Sequence, residues 1–213
     1  LPDDARRRIL LGLGVSHGAV VGDAYAASKP LTVMRDYLDG LEQAGVPAGN
    51  LCLAALAPKM LELARDRTLG THPYLAPPAH TALARAAVGP GKLVAPELGV
   101  ILETDPARAR ELGRGALAGY DALPNYLNNW RRSGFGEDDI ARRSDRLVDG
   151  LFAWGGPEQI ARRVREHHDA GADHVCVQMI RAPLTGDPDG LRAVGKGVGN
   201  LRAECRRLAE ALL

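Results

Sequence analysis

Apolar residues in this chain come in short unbroken runs separated by amphipathic stretches. ILLGLGV (9–15) is the first run; Pro30 then opens a pattern in which Leu31, Met34, Leu38 and Leu41 recur at three and four residues until Gly45. The reading is a strand followed by a helix. LCLAAL (51–56) repeats the theme, with Pro58 in a first helical turn, Leu61 and Ala64 on one face and a stop at Gly70. THPYL (71–75) reads as a short, irregular strand, and KLVAPELGVIL (92–102) as a strand in which Pro96 demands a bulge or a ladder edge. Thr104 or Asp105 then caps a helix with Pro106 at its first position. From there to about residue 153 the pattern is helix and loop with no strand. Pro157 starts a helix that carries Ile160 and Val164 and stops at Gly171, and a strand over 174–180 follows. In the closing helix Leu201, Cys205, Leu208 and Leu212 share a face.

Strands that are continuously apolar, each followed by a helix, imply a parallel sheet covered by helices. Two α/β architectures satisfy that pattern, a doubly wound sheet and a (β/α) barrel. A dinucleotide-binding sheet needs G-x-G-x-x-G and an acidic residue about 20 positions on. Here the glycines are Gly12, Gly14 and Gly18, one residue too far apart, and Gly49 and Asn50 precede the second strand. GLRAVGKG (190–197) imitates a phosphate loop but has Gly197 in place of the metal-binding hydroxyl and follows no strand. The barrel remains.

Composition narrows the function classes. A chain of 213 residues can bury a full core in one domain or at most two small ones, and a formal net charge of +1 with interspersed acids and bases offers no basic stripe for nucleic acid. No apolar run approaches the length of a bilayer span. Cys52, Cys176 and Cys205 are odd in number, and the first two lie in apolar runs, which fits buried thiols in a reducing cytoplasm rather than a disulfide framework. The six histidines, 17, 72, 80, 167, 168 and 174, form no metal-binding spacing. His167 and His168 close a helix, where an imidazolium suits the negative end of the dipole.

In a (β/α) barrel the working groups stand at the carboxyl ends of the strands. Ser16 and His17 follow the first strand, and Gly12 and Gly14 leave room for a flat ligand against its inner face. The plain alternative is a packing glycine and a loop histidine. Backbone N–H groups around Ala57, Lys59 and Met60 open a helix and suit a phosphate, or simply form an ordinary turn. Thr71 and His72 begin the third strand at the same edge, or His72 is satisfied within a tight turn.

Several long segments, taken together and in order, resemble the luciferase-like monooxygenase superfamily, and in particular its branch that uses the deazaflavin F420. They are LLGLGVSH, SKPLTVMRDYLD, LAALAPKMLELARDRTLGTHPYL, LVAPELGVILETDPARAR, LPNYLNNWRRSGF and DRLVDGLFAWGGPEQIARRVREHHDAGADHVCVQ. The resemblance implies a TIM (β/α)8-type barrel represented by roughly its strands 4–8, since the G-x-G strand is the fourth in that family. Strands 1–3 are then absent from the sequence. Residues 1–213 form the carboxyl-terminal portion of the barrel as a single domain, with a helical insertion over 106–153. It further implies that F420, or alternatively FMN, lies across the strand ends, with Gly14, Ser16, Ala55, Leu56, Ala57 and Thr71 holding the cofactor and His17, then His72, as acid–base residues. The implied activity is hydride transfer between F420 and a small organic substrate. The alternatives are an FMN-dependent monooxygenase and a non-catalytic barrel relic that binds or assembles. A sheet of five strands leaves two open edges, from which a homodimer is expected. No metal, nucleic acid or membrane partner is expected.

Overall fold

The computed structural model describes residues 8–16, 29–181 and 194–212, the last stretch with side chains from residue 202 onward. Seven short strands are present among them: β1 (Leu11–Leu13), β2 (Leu51–Leu53), β3 (Gly70–Thr71), β4 (Leu93–Val94), β5 (Glu97–Ile101), β6 (Phe152–Trp154) and β7 (Cys176–Met179). The helices are α1 (Pro30–Gln43), α2 (Pro58–Arg67), α3 (Pro78–Val88), α4 (Pro106–Ala116), α5 (Pro124–Arg132), α6 (Glu137–Arg142), α7 (Asp145–Leu151), α8 (Pro157–Asp169) and α9 (Val194–Leu212). All strand pairs are parallel. They form one sheet in the order β1-β2-β3-β4 and a second in the order β6-β5-β7.

β4 and β5 are one strand interrupted at Pro96, and they join the two sheets. On one side the N–H groups of Leu93, Ala95 and Glu97 donate to Leu69, Thr71 and Pro73 around β3. On the other, the carbonyls of Val94, Pro96 and Val100 accept from Asp173, Cys176 and Ile180 along β7. Pro96 therefore sits in the interior of the sheet, at neither a bulge nor an edge. Its missing N–H points toward β7 where that ladder is only beginning, so one rung is lost. Beyond Pro73 the β3 side of β5 is taken over by β6, with Gly99 opposite Phe152 and Ile101 opposite Trp154. β6 also ends the helical segment after residue 106 in a strand, which the apolar pattern did not separate from α7.

Helices cover one face of this curved sheet. Leu51, Leu53, Ala55 and Val94 pack with Met34 and Leu38 of α1, Met60 and Leu61 of α2, and Ala84 of α3. Leu98 and Val100 pack with Ile160 of α8 and Leu208 of α9. Because side chains alternate along a strand, the opposite, inner face carries Gly14, Cys52, Ala54, Glu97 and Cys176. The helical segment α4–α7 builds its own core, in which Trp130, Leu147 and Phe152 are fully buried around Leu75 and Ile101. Among the described residues β1, β6 and β7 each have one strand partner, so the sheet is not closed, and Ile9, Leu10, Leu11 and Val177 are exposed.

Local sequence accounts for the helix ends. Six helices, α1 to α5 and α8, begin with proline in the first turn, where its fixed φ fits and its missing N–H costs nothing. Asp105 caps α4, accepting from the Arg108 N–H at 2.8 Å. Gly45 and Gly171 terminate α1 and α8 at positive φ, as expected. Gly70, in contrast, is no helix stop. α2 ends at Arg67 with Thr68 bonded to the Ala64 carbonyl, while Gly70 lies in β3 so close to its neighbour that a Cβ would stand 1.9 Å from the Leu93 carbonyl oxygen. In the closing helix only Leu208 of the expected apolar face is buried where side chains are described; Cys205 and Leu212 are exposed.

Candidate active site

The carboxyl ends of β1 and β2 open into a cavity of about 1110 Å³. Its described lining comes from four places: Gly14, Val15 and Ser16 after β1; the start of α1 from Lys29 to Thr32, with Arg35; the β2–α2 turn from Ala54 through Met60, omitting Ala55; and Tyr74 together with 122–126 at the start of α5. The walls are largely apolar. Lys29, Arg35 and Lys59 are the charged residues among the described lining, and no carboxylate is among them.

Helix ends add to that sign. α1, α2 and α5 all present their amino-terminal turns to the cavity, each contributing the positive end of its dipole. At α2 the amides are not all available. The Met60 N–H already donates to the Ala57 carbonyl at 3.0 Å and Pro58 has none, which leaves the Ala57 and Lys59 N–H groups for a ligand. The turn itself is held from behind. The Leu56 carbonyl accepts from His80 Nε2 at 3.1 Å and from Arg132 at 3.3 Å. Burial lowers the His80 pKa, so the ring is neutral with its proton on the nitrogen that donates.

Of the residues expected at the site, Gly14, Ser16, Leu56 and Ala57 meet at the cavity. Ser16 adopts a left-handed backbone, φ +55°, at the point where the chain leaves the strand. The side chains of Ala55 and Thr71 go elsewhere. Ala55 is buried on the helix-covered face, and the Thr71 hydroxyl, also fully buried, donates to the Leu53 carbonyl at 3.0 Å. Alternation explains both, because each is one residue out of phase with the inward-facing set. His72 is inward-facing but lies outside the cavity lining, its Nδ1 bonded to the Ala95 carbonyl. His17 lies outside the described residues.

The reading from sequence missed Tyr74, Tyr126, Arg35 and the turn at Leu75. Tyr74, Tyr120 and Tyr126 pack ring against ring, with centroids 5.1 to 6.4 Å apart, and the Tyr74 hydroxyl donates to Gln178 at 3.2 Å. Leu75, with φ +50°, is buried in a left-handed conformation, and its carbonyl accepts from Trp130 Nε1 at 3.2 Å. The available signal was PYL beside LPNYLNNW, aromatic residues at loop positions. Other titratable residues are structural. Burial pushes the Cys52 thiol up to about 11. His167 is fully buried, and burial, with Arg163 next, holds it down at about 4, so it is a neutral ring and not the imidazolium its helix-end position suggests.

The model of one protein family, described as luciferase-like monooxygenase, matches residues 44–174, more than half of the chain. The chain belongs to the luciferase-like monooxygenase family. Within that family's scaffold the matched segment runs from the end of α1 to the loop before β7, and so contains the β2–α2 turn, the tyrosine cluster and the helical segment. No curated protein matches the chain. Among solved structures, apo-MsnO8 shares 19% identity over 99% of this chain and 69% of its own, with a TM-score of 0.52, and shows the fold to be that of this α/β-barrel class. An F420-dependent secondary alcohol dehydrogenase in complex with an F420-acetone adduct (12% identity, 68% of this chain, TM-score 0.46) is more distant. So is the coenzyme F420-dependent tetrahydromethanopterin reductase from Methanopyrus kandleri (16%, 68%, 0.41). The chain spans about half the length of each of these two, 47% and 49%.

Proposed function

We propose that this luciferase-like chain is the cofactor-binding part of an oxidoreductase that moves a hydride between F420 and a small organic substrate. One observation carries the reading: a large apolar cavity at the strand ends whose described lining holds three cations and no carboxylate. That combination suits a flat, apolar ring with an anionic tail. Gly14, Leu31, Ala54, Leu56 and Tyr74 would hold the ring, and Lys59 with the amides of Ala57 and Lys59 would hold the tail. A deazaflavin or flavin held there supplies the hydride chemistry; the protein binds, orients and excludes water. His17, next in the chain to cavity-lining Ser16, is the acid–base residue of this reading, and His72 the second candidate.

The family's designation as a monooxygenase favours an FMN-dependent reaction on the same scaffold as the second reading. Titrating the purified protein with F420 and with FMN, followed by absorbance, separates them. Tight F420 binding with weak FMN binding is expected, the converse selects the second reading, and no binding of either overturns both. If F420 binds, His17→Ala is expected to depress turnover far more than affinity. The reading also takes the assembly to be a cytoplasmic homodimer. The exposed Ile9 and Leu10 before β1, with Leu11 at its start, and the three free thiols support it, and light scattering on dilute protein tests the dimer.

A further inference from the structure

The stretch LVAPELGVIL (93–102) contains a single charged residue, Glu97. In a strand buried on both faces an unpaired carboxylate is costly, because the charged form loses its hydration with nothing in exchange. Glu97 is 7% exposed, and neither carboxylate oxygen has a hydrogen-bond partner. The groups around it are weak acids. Cys176 is its register partner on β7, and its charge also reaches Tyr74 at the end of β3 and Tyr126 on α5; burial is the larger cause that raises the pKa of all three. The Leu75 amide, turned by the left-handed backbone, pulls weakly the other way without meeting hydrogen-bond geometry, and no described cation offsets the burial. Burial therefore pushes the Glu97 carboxyl up to about 7.

Tyr74 and Tyr126 are at once the residues that feel Glu97 and part of the cavity wall. Glu97 lies on the inner face with its N–H donating to the Pro73 carbonyl at 2.8 Å, one residue from Tyr74, and is not itself part of the lining, so it stands behind that wall, in a site whose fixed charges are otherwise positive. A flat ring seated against the two tyrosines displaces water, and its anionic tail brings like charge into the cavity; both effects favour the protonated carboxyl. We propose that Glu97 is a proton-binding site linked to occupation of the cavity, taking up one proton when a flat ring ligand with an anionic tail seats against Tyr74 and Tyr126. The inference rests on the cavity being the ligand site of the proposed function.

Calorimetric titration of the whole chain with FMN and with F420, slightly above neutral pH and in two buffers of different ionisation enthalpy, counts the protons exchanged. Uptake approaching one proton is expected for the native chain and near zero for Glu97→Gln, whose affinity also loses its dependence on pH. Binding with equal uptake in both proteins overturns the proton site and leaves the function standing. If neither cofactor binds, the functional reading falls. The proton site is then judged on the free protein, by carbon NMR of labelled glutamate carboxyls with Glu97 identified through its loss in the variant. A midpoint near neutrality sustains the site, and a midpoint in the ordinary carboxylate range overturns it.

Discussion

The Thr81 hydroxyl lies 2.9 Å from His167 Nδ1 in the fully buried seam between α3 and α8, and the other ring nitrogen has no partner. The imidazole is neutral there down to about pH 4. Its pKa, about 4 folded against 6.5 as the ordinary value, means that the unfolded chain binds more protons between those limits. Stability therefore falls as pH drops from about 6.5 to about 4, by up to about 3 kcal/mol. Urea unfolding is expected to show the native chain losing ground to His167→Gln progressively as pH falls through that window.

Glu97 acts in the opposite sense. Its folded value near 7 exceeds the ordinary 4.5, so the folded chain holds the extra proton and stability is lost as pH rises through that interval. The size is again up to about 3 kcal/mol. Glu97→Gln is expected to be more stable than the native chain above pH 7 and nearly equal to it below 4.5. In the native protein the two effects offset one another over much of the acid range. Each variant alone should expose the slope of the group that remains.

Gly70→Ala places a methyl group inside the Leu93 carbonyl, and that neighbour is backbone, which cannot rotate aside. A loss of more than about 3 kcal/mol is expected, at the severe end for single substitutions. Thermal unfolding measures it. A loss under about 1 kcal/mol would mean that β3 and β4 are less tightly paired than described.

Lys59→Glu reverses one of the three cations of the lining and sits beside the α2 amides. If the tail of a phosphorylated flavin rests there, FMN binding is expected to weaken by about tenfold or more, in proportion to a lost charge-assisted contact of roughly 1.5–3 kcal/mol. Riboflavin, which lacks the phosphate, should be nearly indifferent. Equal effects on both ligands would move the tail away from α2.

The sequence was most legible where one physical cause dominated. Continuous apolar strands and proline-led helices located β1, β2, β5, β7, α1, α2, α4 and α8, because these features act through neighbours in the chain. α3 left little trace, since its buried positions are His80, Thr81, Ala84 and Val88 and form no recognisable apolar stripe. The cavity was half legible. Gly14, Ser16, Leu56 and Ala57 follow from the rule that strand ends carry the chemistry. Ala55 and Thr71 required knowledge of phase: in a run such as LCLAAL, apolar on every position, nothing local says which side chains face inward. Tyr126 and Glu97 come together only through the long-range pairing of β5 and the seating of α5, which no spacing records.

The strand divided at Pro96 hydrogen-bonds to β3 along its first half and to β6 along its second. It behaves like a beam shared by two storeys. The lower rungs, up to Glu97, belong to the scaffold and are fixed by main-chain bonds on both sides; the upper rungs, Gly99 to Ile101, take their second support from the helical segment. A change in how α5 to α7 sit can therefore tilt the upper rungs without loosening a bond beneath, so the wall that 106–151 contribute can change while the floor of the cavity keeps its shape.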